Sequence, residues 1–238
     1  MIPIRDDRGP RGLTPTTCAL IAVWIGSYLL CLRLAPATLE RWHDAIALDP
    51  VAWRRAVRVL CGEARGAVPD ALVEVFLPLL AYKLVHGGAL QVLANGLVFL
   101  VFGGRLEARA GALRFLLFHE LVGVAAALAA LAFAGARAPV AVGASAAVAG
   151  SIAGYLFLHL RSRVIMLVPV LIYPVFVEVP AILLALAWSL LQFRPVARLL
   201  EVGPSAPVDW PAYAGAVVAG LLLTPWLLRR RRGPGRRR

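Results

Sequence analysis

Charge is scarce in this chain of 238 residues: 16% are charged and 61% are hydrophobic. An ordinary soluble domain has about 25% charged residues, so the composition excludes that class and points to several membrane crossings. Cysteine is scarce as well. Cys18, Cys31 and Cys61 stand apart, with no CxxC and no Cys/His cluster, which argues against a metal site or a disulfide framework. No metal or cofactor is expected. No cleavable leader is expected: Arg5, Asp6, Asp7, Arg8 and Arg11 precede the first apolar run, and no convincing small-residue cleavage site follows it. That run is expected to stay as a signal anchor. No internal repeat is visible.

Long apolar runs are what the chain has. A helix needs about 20 apolar residues to cross a bilayer, and the runs predict spans at 16–34, 76–102, 115–134, 140–160, 179–193 and 212–228. The expected fold is therefore all-α, a polytopic bundle of six transmembrane helices. It occupies residues 16–228, between an N-terminal tail (1–15) and a polybasic tail (229–238). A long first loop, 35–74, should hold interfacial helices. In its stretch from Asp49 to Leu60, Val51, Trp53, Val57 and Leu60 are apolar while the arginines cluster elsewhere, which suits a helix lying in the interface with Trp53 at headgroup depth. Pro69-Asp70 marks a helix restart. The stretch 164–177 is apolar but broken by Pro169 and Pro174, and is expected to be interfacial or partly re-entrant.

The net charge of +12 is a matter of topology, not of nucleic-acid binding. With six spans both termini share one side, together with Arg105, Arg109, Arg114, Arg161, Arg163 and the tail arginines 229–238. Short loops near span ends count most, so that side is expected to be cytoplasmic. The tail is a positive-inside signal that could also bind anionic lipid heads. An arginine-rich composition with Lys83 as its one lysine suggests a GC-rich bacterial genome and hence the plasma membrane.

Some polar groups lie inside the spans. Gln91 and Asn95 are four apart and share a helix face. They serve either interhelical hydrogen bonding or donation to a developing oxyanion. The fourth span is rich in small residues around Gly143-Ala144-Ser145-Ala146, and the last carries Ala216 and Gly220 four apart. Small residues let helix backbones approach closely, so these two spans should pack together. Ser145 and Tyr213 both sit at the non-cytoplasmic starts of their helices and should be neighbours. Ser145 is a packing residue or a nucleophile, and a nucleophilic serine needs a base within hydrogen-bond reach. Lys83 is a poor candidate, because eight residues separate it from Gln91, about 12 Å along a continuous helix. His43 has no motif around it. His119 and His159 are expected to snorkel or cap at cytoplasmic span ends.

Five blocks in order resemble the rhomboid family of intramembrane serine proteases. His86-Gly87-Gly88 with Gln91 and Asn95 resembles the second-helix pattern His-x4-His-x3-Asn. Gly103 to Glu107 and Gly111 resemble the Gly-x3-Glu-x3-Gly signature. Gly143-Ala144-Ser145 resembles the nucleophile motif Gly-x-Ser. Glu178 to Ala181 with Trp188 and Gln192 resembles the fifth helix of bacterial members. Ala212-Tyr213-Ala214-Gly215 aligns with the sixth-helix Ala-His motif. The resemblance implies that Ser145 holds the nucleophile position, and that Asn95 and Gln91 hold the oxyanion positions, Gln91 in place of a histidine. It gives His86 and Glu107 structural roles, while Gly143 and Gly220 are expected to be structural as small residues of the packed fourth and sixth spans. Tyr213 stands where the catalytic histidine should be. Ala146 and Ala216 replace glycines, and Ala149 stands where many members carry an aromatic residue.

An amide can still donate to an oxyanion. A phenol with a pKa near 10 is a donor at neutral pH, and using its phenolate as a base costs about 4 kcal/mol. The resemblance therefore implies a pseudoprotease that binds transmembrane helices of client proteins without cutting them, as inactive relatives do. The alternative is an active intramembrane endopeptidase with a non-standard base. A transporter is disfavoured, since no charged pathway spans the bilayer.

Overall fold

The computed structural model describes residues 2–6, 13–134, 143–170, 173–192 and 209–228. The polybasic tail at 229–238, the start of the fourth predicted span and the end of the fifth lie outside the described residues. Proline opens several helices, where its missing N–H costs nothing and its fixed φ suits the first turn. Helix α1 (Pro15–Cys31) is followed in the long loop by α2 (Pro36–Ile46) and α3 (Pro50–Leu60). Asp49 caps α3 by accepting from Val51 N at 2.7 Å and Ala52 N at 3.1 Å. Helix α4 (Val68–Ala81) and a 3-10 turn (Tyr82–Leu84) lead to α5 (Ala89–Ala110) and α6 (Ala112–Phe133), with Gly111 between them at φ +86°. Then come α7 (Ser145–His159), strands β2 (Arg163–Val170) and β3 (Tyr173–Pro180), α8 (Ala181–Leu191) and α9 (Trp210–Leu227); strand β1 (Ile2–Asp6) precedes them all.

The helical bundle agrees with the sequence reading. Three helices, α5, α6 and α9, are long and apolar enough to cross a membrane. Helices α1, α7 and α8 are apolar but shorter. The span predicted over 76–102 is corrected: the chain leaves the helix after Ala81 and begins a new one at Ala89. Lys83, His86 and Gly87-Gly88 interrupt the apolar run at the break, a local signal that reading 76–102 as one span passed over. Side chains and neighbouring helices satisfy the backbone groups that the break frees. Ser27 Oγ donates to Leu84 O at 2.8 Å, and Gly87 N donates to Gln91 Oε1 at 2.7 Å. Gln91 is the third residue of α5, so its side chain reaches back over the helix start in a variant of the capping box.

The stretch 164–177 is corrected too. It is a β-hairpin, with β2 antiparallel to β3 and to β1 in the order β1-β2-β3. Pro169 and Pro174, which would break a helix, face each other across the hairpin. The pairing with β1 covers only Val164 to Leu167. Pro169 therefore lies where β2 is an edge on that side, and no ladder donor is missed.

The core is aromatic at its centre, where Trp24, Phe99, Phe102, Phe115, Phe118 and Tyr155 are buried. On α5, Val92, Asn95, Phe99, Phe102 and Leu106 recur at helical spacing and form the buried face. Helices α7 and α9 meet backbone to backbone. A Cβ on Gly220 would sit 2.1 Å from Gly150 O, and one on Gly150 would sit 2.5 Å from Ala216 O. Gly220→Val should therefore force the helices apart at a cost of about 3 kcal/mol. Thermal unfolding in detergent would register this as a fall in Tm of roughly 6–12 °C; an unchanged Tm would refute the close contact.

Candidate active site

The first turns of α5, α7 and α9 and the last of α8 come together at one end of the bundle. Ser145 is the first residue of α7 and is 7% exposed. Residue Ala144, ahead of it, provides no side-chain cap, so the leading N–H groups of α7 have no acceptor within the helix. Gly143 allows close approach here: a Cβ on it would lie 3.0 Å from Val85 O and 3.3 Å from Gln91 Nε2. The bond from Gly87 N to Gln91 Oε1 fixes which way the amide faces. Its oxygen meets the donor, so its NH2 is left on the Gly143 side.

One turn further on, Asn95 is fully buried, and neither its Oδ1 nor its Nδ2 has a hydrogen-bond partner. A buried amide left unpaired costs free energy, so its presence at this end of α5 calls for a reason other than packing. The Gln91 NH2 and the N-terminus of α7 thus meet beside Gly143, two residues before Ser145, and Asn95 lies one turn along α5 from Gln91.

Tyr213 lies in the first turn of α9, which Asp209 caps by accepting from Ala212 N at 3.3 Å. Burial lifts the Asp209 carboxyl above the usual carboxylate range, and the Ala212 N–H partly offsets this. The Tyr213 hydroxyl donates to Gln192 Oε1 at 3.1 Å and is also hydrogen-bonded with the Ser145 side chain. A phenol has one proton. With that proton given to Gln192, the Tyr213 oxygen can only accept from Ser145. The chain Ser145–Tyr213–Gln192 joins α7, α9 and α8.

Other expected residues are placed away from this centre. His86 Nδ1 lies 3.3 Å from Leu84 O, and its ring is 6.2 Å from that of Trp24. Glu107, at the far end of α5, accepts from Thr16 N at 2.8 Å, Thr17 N at 2.7 Å and Thr17 Oγ1 at 2.8 Å. These are leading N–H groups of α1, so the carboxylate caps a neighbouring helix. Gly220 stands in the α7–α9 contact. Lys83 is buried and paired with Glu120 of α6, which engages its ammonium away from Ser145. His119 does not snorkel. It is fully buried among Trp24, Phe99 and Phe115, at ring distances of 5.8, 4.8 and 6.5 Å. Helix α6 begins at Ala112, three residues before the predicted span, and this sets His119 two turns inside the bundle. The sequence reading missed Glu120, although an acid within an apolar span is itself a signal. It also missed the partnership of Gln192 with Tyr213, which local sequence does not signal.

No curated protein and no solved structure matches the chain. The rhomboid domain model matches residues 74–230, about two thirds of the chain and all of the elements that build this site. The chain is an integral membrane protein of the rhomboid family.

Proposed function

We propose that this protein is a rhomboid-like pseudoprotease that holds transmembrane helices of client proteins without cleaving them. The observation that carries the reading is the donation of the Tyr213 proton to Gln192. A neutral phenol in that state can receive a hydrogen bond from Ser145 but takes up no proton from it, so the serine has no base. Clients would enter between α5 and α8. Helix α8 leans on α7 and on the hairpin rather than on α5, and Ile182, Leu186 and Leu190 form an exposed apolar stripe along it. The test is a transmembrane substrate incubated with purified protein, beside Ser145→Ala. Photo-crosslinking of the substrate without cleavage is expected, and Tyr213→Phe should leave the crosslink yield within about twofold, below about 0.5 kcal/mol, because the hydrogen bonds it removes run to Gln192 and Ser145 and not to the client. Cleavage that vanishes in Ser145→Ala would overturn the reading.

A second reading, an active endopeptidase with a non-standard base, is favoured by the unpartnered Asn95 amide and the NH2 of Gln91 beside Gly143. These are donors suited to an oxyanion. Labelling of Ser145 by a fluorophosphonate probe, absent in Ser145→Ala, would support it.

Both termini are assigned to the cytoplasm from the arginine distribution. Cys61, exposed just after α3, then faces the opposite side. In cells carrying Cys18→Ser and Cys31→Ser, a membrane-impermeant maleimide should label Cys61 without lysis. Labelling only after lysis would reverse the orientation.

A further inference from the structure

Outside the Ser145 centre, helices α2, α3 and α4 enclose a half-open cavity of about 450 Å³, within the range of small-ligand pockets. Its lining combines apolar groups, among them Leu48, Trp53 and Leu77, with the charged residues Arg41, Asp44, Asp49 and Glu74. Two of the charges are already engaged. Asp49 caps α3, and Glu74 pairs with Arg55 at 3.3 Å. Arg41 uses only its Nε, donated to Ala37 O at 3.2 Å, so its terminal nitrogens remain available. The exposed Asp44 carboxylate has no hydrogen-bond or ion-pair partner among the described residues. Arg41 and Asp44 are three apart on α2, so they lie side by side on one helix face. The pair offers an anion site and a cation site next to each other.

The cavity also borders an exposed apolar surface. Val73 and Leu77 of α4 line it, and both are exposed, continuous with exposed Leu72, Phe76 and Leu80 on the same helix. A ligand can therefore place a polar head among Arg41 and Asp44 while its chains run along α4.

We propose that this cavity is a headgroup site for a phospholipid carrying both a phosphate and a primary ammonium, of the phosphatidylethanolamine type. The Arg41 guanidinium takes the phosphate, for which its planar fork is suited. The Asp44 carboxylate takes the ammonium, and the two-carbon spacer between the two groups bridges neighbouring positions on α2. A choline head has no N–H to donate to Asp44, and a glycerol head has no cation for it.

The test is native mass spectrometry of the full-length protein released from nanodiscs containing equal parts of phosphatidylethanolamine, phosphatidylcholine and phosphatidylglycerol. One retained phosphatidylethanolamine is expected in preference to the others. Asp44→Asn and Arg41→Met should each weaken it by roughly fivefold, and the double variant by more. Asp70→Asn, an exposed acid of α4 outside the cavity, should leave retention unchanged and serves as the control. Equal retention of all three lipids, preference for phosphatidylglycerol, or retention indifferent to Asp44→Asn and Arg41→Met would overturn the proposal. Ser145 labelling and substrate cleavage play no part in this readout, so it stands or falls separately from the pseudoprotease reading.

Discussion

Tyr213→His should switch on cleavage of a model transmembrane substrate, by roughly 10²–10⁴-fold over wild type, the usual range for a positioned general base. Apart from a base, the chain carries the kinds of donor that such a reaction would use. The serine starts α7, where N–H groups lack helical acceptors. Gln91 turns its NH2 toward Gly143, and Asn95 is buried without a partner. An imidazole at position 213 would inherit two contacts made by the phenol. Gln192 Oε1, which now accepts the tyrosine proton at 3.1 Å, would accept an imidazole N–H instead. That bond would fix the tautomer and leave the second nitrogen free to face Ser145. The gain should disappear in Tyr213→His combined with Ser145→Ala. It should weaken with Gln192→Leu, which removes the tautomer-fixing acceptor. If Tyr213→His stays inert and its Ser145 takes no fluorophosphonate, the end of the bundle is not an arrested protease site. The retained serine would then be a packing and hydrogen-bonding residue.

Glu107→Ala should be the most destabilising single change at a polar position. It removes three hydrogen bonds to a buried carboxylate that is 2% exposed. It also strands the leading donors of α1 in a region with little water to replace the acceptor. Hydrogen bonds to charged groups are worth about 1.5–3 kcal/mol each, and their losses within one network are not additive. A cost of about 4 kcal/mol is expected, lowering Tm in detergent by roughly 8–16 °C. Glu107→Gln keeps one acceptor oxygen and should cost about half as much. Equal losses in the two variants would mean that the volume of the side chain, not its acceptors, holds α1 to α5.

Several features of this site are legible in the sequence alone. Gln91 and Asn95 fall on one face because a helix repeats every 3.6 residues. The small residues of the fourth and sixth spans announce close packing, and Gly150 and Gly220 meet accordingly. The meeting of Ser145 with Tyr213 followed from two helices starting on the same side of the membrane. Other features are legible in part or not at all. The start of α5 was legible only in part: Lys83, His86 and Gly87-Gly88 interrupt the apolar run, but the broken backbone is satisfied by the pairing of Leu84 with Ser27 and of Gly87 with Gln91. The depth of His119 depends on three aromatic rings from α1, α5 and α6 closing around it. The hairpin at 164–177 was hidden because paired prolines look like helix breakers until the strand opposite is known.

The division between the two kinds of knowledge follows from range. Composition, run length and the order of short motifs are local properties, and they were enough to determine a helical membrane protein, its family and the absence of a histidine at position 213. Whether Tyr213 acts as donor or acceptor, which way the Gln91 amide faces and which helix Glu107 caps are decided by partners 21, 4 and about 90 residues away in the chain. Only the packed bundle, where each buried polar atom must find a partner or go without, decides those.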